Sequence, residues 1–307
     1  MNLVRGWLIA CLCLLTLGCS LNKVAVNTTA GLLAEAGDST RAYFDYESAG
    51  YAAPSGIMQL EGLHTISPDN DGLSMTLAMA YMAYTYGWVM DAREVADLSG
   101  DFDLADHHRQ RGYLMYTRAK DLMMRVATSR DDRIVKVLQS DPKTLRAHLK
   151  KNWNDPEDDI PVLFWLMMTW NSSINNDTGR DSLVDVPIIR AFAEHIAAVD
   201  PAYEDAGALV FLGGFECSIP EQVGGNPKKG KEYFERALVT TQRKNHIHLL
   251  NYAQMCGVAA QDRALYVSLL REILEAPDQG SLHRLSNKVA RRRAARALGR
   301  VDELFYN

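Results

Sequence analysis

A cysteine near the start of the chain is the residue whose setting most directly predicts a chemical reaction. Cys19 follows Gly18 at the end of an apolar segment over residues 7–17, and Arg5 precedes that segment. The segment is shorter than the roughly 20 residues that a membrane-spanning helix needs, but its basic start and small final residue are typical of a signal peptide. The pattern is similar to a bacterial lipobox, in which the cysteine is diacylated, although Thr16 stands where leucine is usual.

The lipobox pattern divides the start of the chain into two parts. We predict a signal peptide over residues 1–18, followed by a lipidated tether over residues 19–28 that begins at the acylated Cys19. Ser20 favours the outer membrane, because aspartate at that position of a lipoprotein favours the inner membrane. The alternatives are an ordinary secretory signal or a buried first helix, and in both of them Cys19 has no role.

The remaining cysteines leave two interpretations open. Cys11 and Cys13 lie in the predicted signal peptide, so Cys217 and Cys256 are the thiols of the folded chain. An oxidising periplasm permits a disulfide between them. Free cysteines are also among the most deeply buried residues, and sequence spacing cannot show a contact. We favour two separate buried thiols, with the disulfide as the alternative.

The histidines do not have the spacing of a metal site. His107 and His108 are adjacent, and His246 and His248 are two positions apart, so on a helix neither pair points in one direction. The sequence also contains no G-x-S-x-G, no H-E-x-x-H and no glycine-rich phosphate loop. We therefore predict no catalytic residue, no metal, no cofactor and no enzymatic activity.

The charge distribution excludes nucleic acid as a partner. The 307 residues carry a formal net charge of −5 and contain no long basic tract. The last helical segment is locally basic, and Arg292, Arg296 and Arg300 share one stripe of it. A stripe of this kind is most often solvated, and the alternative is an acidic partner or anionic lipid headgroups.

Apolar residues recur three and four positions apart along the whole chain, which predicts an all-α fold. Clusters of Pro, Gly, Asn and Asp mark the loops, at residues 67–70, 152–161, 175–181, 200–201 and 219–229. We predict consecutive helical hairpins that form a compact, curved solenoid, with residues 29–307 as a single domain.

Two pairs of helical segments have a spacing similar to that of tetratricopeptide repeats. In the later pair, Leu209 and Gly213 precede Gly230, Phe234 and Ala237. In the earlier pair, the same small-aromatic-small spacing is found at Gly112, Tyr116 and Ala119. Small residues at these positions let paired helices approach closely, while the aromatic ring fills the gap to the next hairpin.

Two apolar segments, over residues 75–90 and 160–170, are candidates for a ligand-binding surface. Met and aromatic side chains together suit adaptable apolar binding surfaces, although ordinary core packing is the alternative for both segments. The candidate residues for lining a hydrophobic channel are Tyr81, Tyr84, Trp88, Phe164, Trp165, Met168 and Trp170.

The order of several short motifs resembles that of a known family. These motifs are Ser67-Pro68-Asp69-Asn70, the segment from Asp159 to Trp170, Asp200-Pro201-Ala202-Tyr203, Leu212-Gly213-Gly214, Gly224-Gly225 and Asn287-Lys288-Val289-Ala290. Together they resemble the T components of tripartite ATP-independent periplasmic (TRAP) transporters, over about residues 29–305.

The resemblance implies a tetratricopeptide-like lipoprotein that assembles as a homotrimer with a hydrophobic channel in each protomer. It also implies binding to the periplasmic solute-binding subunit of the transporter, and passage of an apolar or amphipathic small molecule to it. The alternative function is a tethered scaffold for envelope or outer-membrane protein assembly. A carrier needs a lined cavity, whereas a scaffold needs only an open peptide groove.

Overall fold

The structure is a computed structural model that describes residues 21–179, 184–278, 280 and 282–305. These residues form helices and connecting loops, and no strand is found among them. The predicted all-α fold is confirmed. The first described segment, helix α1, runs over residues 21–35, so residues 21–28 of the predicted tether form the first half of a helix.

Nine helices follow one another up to residue 199. They are α2 (Gly37–Arg41), α3 (Tyr46–Ile66), α4 (Asp71–Tyr84), α5 (Met90–Ser99), α6 (Phe102–Arg130), α7 (Ile134–Leu138), α8 (Pro142–Asn152), α9 (Asp159–Ile174) and α10 (Val186–Val199), counted over the described residues after α1. A π-helical segment, Thr85–Val89, joins α4 to α5 without a break.

The remaining helices complete the chain after Asp200. They are α11 (Tyr203–Ser218), α12 (Pro227–Thr240), α13 (His246–Tyr252), α14 (Arg263–Glu275), α15 (Arg284–Leu298) and α16 (Val301–Leu304). A second π-helical segment, Ala253–Gly257, extends α13.

Helix ends lie at each of the five predicted loop clusters, and at other positions that were not predicted. Asn70 caps α4 by accepting a hydrogen bond from the Leu73 backbone N–H at 2.8 Å, and Asn226 caps α12 in the same way. Such caps satisfy backbone donors that have no partner inside the helix. Gly100 ends α5 with a φ of +79°, a conformation that glycine adopts without steric cost.

Two apolar cores are packed on opposite sides of helix α11. The larger core contains buried residues of α1, of α3 and α4, and of α6 to α10, and the smaller core contains buried residues of α12 to α15. Ala208 and Leu212 of α11 belong to the larger core, whereas Leu209 and Cys217 belong to the smaller one. Helix α11 therefore connects the two halves of the chain through direct packing.

The small residues of the tetratricopeptide-like spacing lie where two helices approach most closely. A Cβ atom added to Gly213 of α11 would meet the Phe234 ring at 2.7 Å and the Gly230 carbonyl oxygen at 3.1 Å. Phe234 and Ala237 are fully buried, and Phe234 stacks on Tyr252 with ring centroids 4.8 Å apart. The predicted close approach of paired helices is confirmed at this pair.

The favoured interpretation of the last two cysteines is wrong. Cys217 of α11 and Cys256 of the second π-helical segment form a disulfide, with Cα atoms 5.0 Å apart. Both are buried, as we predicted, but in contact with each other. The spacing of 39 residues concealed this contact, because α12 and α13 separate the two cysteines in the chain before the second π-helical segment packs against α11.

Within the described ranges, we find no helix that is both long enough and apolar enough to cross a bilayer.

Candidate functional site

The predicted channel-lining residues of the first segment form an aromatic stack at the junction of α4 and α5. Tyr84 and Trp88 are stacked with ring centroids 6.0 Å apart, and Trp88 stacks on Tyr46 of α3 at 5.0 Å. The Trp88 indole N–H donates to the Tyr46 carbonyl oxygen at 3.2 Å. This approach depends on Gly50, because a Cβ atom there would overlap the Trp88 ring.

Tyr81 lies on another side of α4, within a polar contact between α3, α4 and α6. Its hydroxyl donates to a Glu61 carboxylate oxygen at 2.9 Å, and Arg118 donates to both oxygens of Glu61 at 2.8 and 2.7 Å. The Arg118 hydrogen bonds lower the pKa of Glu61. Burial, together with the hydrogen bond to Glu61, raises the pKa of Tyr81 to about 12. Tyr81 is therefore held in one orientation as a neutral donor.

The candidate residues of the second segment lie along α9. The Phe164 ring makes edge contacts with Trp165 and with Tyr203, with centroids 5.4 and 5.2 Å apart. The Trp170 indole N–H donates to an Asp185 oxygen at 3.0 Å, and Lys120 lies 5.9 Å from the centre of the Trp170 ring. These contacts connect α9 to α6, α10 and α11.

The structure brings all seven candidates into one apolar core but at different depths. Tyr84, Phe164 and Trp170 are buried members of the larger core. The four that remain partly exposed at its edge are Tyr81, Trp88, Trp165 and Met168. Only these four are accessible to a ligand from solvent in the structure described here.

A cavity of about 370 Å³ lies elsewhere, between α8, α10 and α11. It is lined by Pro142, Arg146, Val186, Pro187, Arg190, Glu194 and Phe215, and none of the seven candidates is among them. Arg190 lies 4.8 Å from the centre of the Phe215 ring, and Glu194 accepts hydrogen bonds from both Arg146 and Arg190. The charged groups of this cavity are thus already paired with one another.

A left-handed turn at the start of α11 positions Tyr203 against Phe164. Glu204, Asp205 and Ala206 have φ values of +43°, +59° and +62°. This conformation costs roughly 1–2 kcal/mol for each residue that has a Cβ atom. Sequence periodicity gave no signal for this turn, because the segment has the composition of a helix start.

Charged contacts hold the left-handed turn in place. Glu204 accepts two hydrogen bonds from Arg41 of α2, at 3.0 and 3.3 Å. Asp205 accepts one from the Asn245 amide at 2.9 Å, and its carboxylate lies 3.3 Å from the His283 Nδ1. The turn therefore connects α11 to α2, to α13 and to the start of α15.

Two of the three stripe arginines, Arg292 and Arg300, are exposed, and all three form ion pairs with acidic groups of the same chain. Arg296 forms ion pairs with Asp91 at 2.5 Å and with Glu94 at 3.1 Å, both on α5. Arg292 forms longer ion pairs with Asp91 and Glu47, at 3.6 and 3.4 Å. The sequence did not reveal the acidic partners of Arg296, because they lie about 200 positions earlier in the same chain.

The first π-helical segment leaves carbonyl groups that are satisfied from outside the helix. The Tyr86 carbonyl oxygen accepts a hydrogen bond from Arg293 at 2.8 Å, and the Gly87 carbonyl oxygen accepts one from the Tyr46 hydroxyl at 2.7 Å. π-Helical turns are rare and are often found at functional sites. This one places Trp88 against Tyr46 while connecting α4 and α5 to the C-terminal α15.

Two of the four histidines considered as ligands, His246 and His248, are buried on α13. Among the residues that the structure describes, no group of three or more His, Cys, Asp or Glu side chains is arranged to hold a metal ion. His248 is buried, and its Nδ1 has no hydrogen-bond partner. Burial lowers the pKa of His248 to about 4, opposed by Asp205 and reinforced by His283.

This burial predicts a loss of stability in mild acid. The unfolded chain binds a proton on this histidine near pH 6.5, whereas the folded chain does not until about pH 4. Stability from His248 is therefore complete above pH 6.5 and is lost as the pH falls, by about 2–3 kcal/mol at pH 4. Urea unfolding at several pH values should show a shallower pH dependence for His248→Gln than for the wild type. An unchanged slope would contradict the burial of an uncharged imidazole.

Two comparisons with known proteins each found a match. Residues 44–305 match the model of a family described as TRAP transporter T-component. The chain is also similar to an uncharacterised protein of Treponema pallidum (strain Nichols), with 21% identity in an alignment of 310 positions that covers 95% of each chain. The matched residues include the smaller apolar core and all buried residues of the larger core except Val26 and Ala30 of α1. Cys19 lies outside both the family match and the described residues.

Proposed function

The chain belongs to the family of TRAP transporter T-components, and we propose that it is the accessory subunit that binds the solute-binding subunit of its transporter. In this proposal, an acylated Cys19 holds the chain on the periplasmic face of the outer membrane. The chain acts by binding as a homotrimer, and no reaction or cofactor is assigned to it. An apolar or amphipathic molecule passes through a hydrophobic channel in each protomer.

The observation that supports ligand passage is the partly exposed aromatic edge of the larger core. Rings at this edge are held rigidly, since Trp88 stacks on Tyr46 and Trp165 packs against Phe164. Held aromatic rings offer a large contact area without the entropic cost of ordering flexible side chains. We propose that a ligand contacts Trp88, Trp165 and Met168, and that the buried candidates support these three.

Replacing Trp165 by alanine should weaken ligand binding without unfolding the protein. Loss of one buried indole contact removes about 1.5–3 kcal/mol, which corresponds to roughly tenfold to hundredfold weaker binding. The probe is N-phenyl-1-naphthylamine, whose fluorescence increases in apolar surroundings. The matched control is Tyr51→Ala on α3, because the Tyr51 ring is 84% exposed. If a folded Trp165→Ala variant binds the probe as tightly as the wild type, Trp165 does not line the channel.

Partner binding is tested with the full-length, processed protein, purified in detergent. It is used as bait for a periplasmic extract of the bacterium that encodes it. Mass spectrometry of the retained proteins should identify the solute-binding subunit of a TRAP transporter. Retention of envelope-assembly proteins without any solute-binding subunit would favour the scaffold function instead. A detergent-solubilised lipoprotein without a tetratricopeptide-like domain serves as the control for non-specific capture.

A further inference from the structure

Helix α1 is attached to the rest of the chain by a narrow face. Within residues 21–35, only Val26 and Ala30 are buried. The opposite face carries Leu21, Val24 and Leu32, whose side chains are 70%, 60% and 62% exposed. A helix of about 15 residues is marginally stable alone and depends on packing of its apolar face. Most of the apolar surface of α1 has no such packing in the protein.

The exposed apolar residues form one stripe without charge. Leu21, Val24, Thr28 and Leu32 are spaced by three or four positions, so they share a helix face. The Thr28 hydroxyl donates to the Val24 carbonyl oxygen at 3.0 Å, which reduces the polarity of the stripe. Of the two charged residues of α1, Lys23 lies off the stripe and forms an ion pair with Asp69 at 3.6 Å, and Glu35 lies beyond Leu32 at the last position of the helix.

The position of the proposed lipid anchor identifies what covers this stripe. Only Ser20 separates Cys19 from Leu21. An extended residue spans at most about 3.6 Å, so the Leu21 Cα lies within about 7 Å of the Cys19 Cα. Amphipathic helices bury their apolar face about 5–10 Å deep at the boundary between headgroups and acyl chains. The start of α1 therefore lies at this boundary whenever the acyl chains of Cys19 are in a bilayer.

We propose that the outward stripe of α1, formed by Leu21, Val24, Thr28 and Leu32, lies in the surface of the phospholipid bilayer that holds the acylated Cys19. This inference rests on the lipid anchor of the proposed function. It replaces a free tether by an interfacial helix that continues directly from the acylated residue.

Hydrogen bonds between α1 and the rest of the chain determine how a membrane-bound α1 would orient the protein. The Asn27 side-chain oxygen accepts hydrogen bonds from the Ser67 hydroxyl at 2.9 Å and from the Asn70 amide at 2.7 Å. These bonds fix α1 to the turn between α3 and α4. A membrane-bound α1 therefore holds that turn at the bilayer and sets the orientation of the aromatic edge relative to the membrane.

The test places a fluorescent label on the stripe of the full-length, processed lipoprotein. Cys217 and Cys256 form a disulfide, so Thr28→Cys introduces the reactive thiol for the environment-sensitive fluorophore NBD. The matched control is Thr240→Cys on α12. Thr240 is also exposed, and its hydroxyl likewise donates to the carbonyl oxygen four residues earlier. Both proteins are reconstituted into vesicles of phosphatidylethanolamine and phosphatidylglycerol that contain a spin-labelled lipid.

We expect the label at position 28 to show blue-shifted emission and to lose most of its fluorescence to the spin-labelled lipid. The label at position 240 should show neither effect. Equal solvent exposure of both labels would overturn the inference. A blue shift without lipid quenching would also overturn it, because a protein surface would then cover the stripe. The mass of the N-terminal peptide reports acylation of Cys19 separately, so a failed lipid anchor is distinguished from a failed interfacial helix.

Discussion

Replacing Arg293 by alanine is expected to lower the free energy of unfolding by about 3–5 kcal/mol. Arg293 is only 8% exposed, it donates to the Tyr86 carbonyl oxygen at 2.8 Å, and its guanidinium lies 4.3 Å from the centre of the Tyr86 ring. It also lies 3.5 Å from a Glu94 oxygen. Alanine leaves an unfilled space, a carbonyl without its donor and an acidic group without one of its counter-ions.

The position of Arg293 explains why one side chain has so large an effect. Burial alone would lower the pKa of Arg293, but Tyr86, Glu94 and Asp91 together raise it above its usual value. The side chain therefore remains charged at every pH at which the protein is folded. It connects α15, which belongs to the smaller core, to the π-helical segment between α4 and α5. Its loss weakens the contact between the two halves of the chain.

The measurement is urea unfolding followed by circular dichroism. The control is Arg263→Ala, because Arg263 forms an exposed ion pair with Asp302, and pairs of that kind contribute little to stability. Arg293→Met separates the two causes, since methionine fills most of the space but removes the charge. We expect Arg293→Met to lose less stability than Arg293→Ala. A loss in Arg293→Ala no larger than that of the control would show that the contact does not stabilise the fold.

The elements of this fold were predictable because their signals are local. The loop clusters at residues 67–70 and 200–201 coincide with the observed ends of α3 and α10, since polar side chains cap helices within a few positions of themselves. The close contact of α11 with α12 was also predictable. The sequence signal for this contact is the helical spacing of Gly213, Gly230 and Phe234, which places two small residues and one ring at the same helix interface.

The contacts that position the candidate site were not predictable, because their signals are not local. Arg293 and Tyr86 are 207 positions apart. A basic stripe on a helix has the same sequence pattern whether it faces solvent or the acidic side chains of another helix. The left-handed turn at Glu204 likewise depends on Arg41, far earlier in the chain. Both aromatic segments were recognised from the sequence. Which of their rings are buried depends on helices elsewhere in the chain, and the pattern of a single segment does not show how those helices pack.

Removal of the disulfide is expected to have the second large effect. The double variant Cys217→Ala/Cys256→Ala should lose about 3–4 kcal/mol of stability, because the bond closes a loop between residues 39 positions apart and so restricts the unfolded chain. Lost packing in the folded protein adds little to this loss of stability, because alanine is only slightly smaller than the cysteine that it replaces. The loss should be concentrated in the smaller core, since α11 and the second π-helical segment both contribute to it.

Reduction provides an independent route to the same state. Dithiothreitol should lower the urea midpoint of the wild-type protein to about that of the double variant, and it should leave the double variant unchanged. Hydrogen exchange can also locate the effect of reduction, because α13 ends immediately before the π-helical segment that contains Cys256. If the reduced smaller core opens first, the amide hydrogens of α13 should exchange faster than those of α4 and α6 in the larger core. Equal midpoints for oxidised and reduced wild type would mean that packing, without the covalent bond, is sufficient to hold α11 against the second π-helical segment.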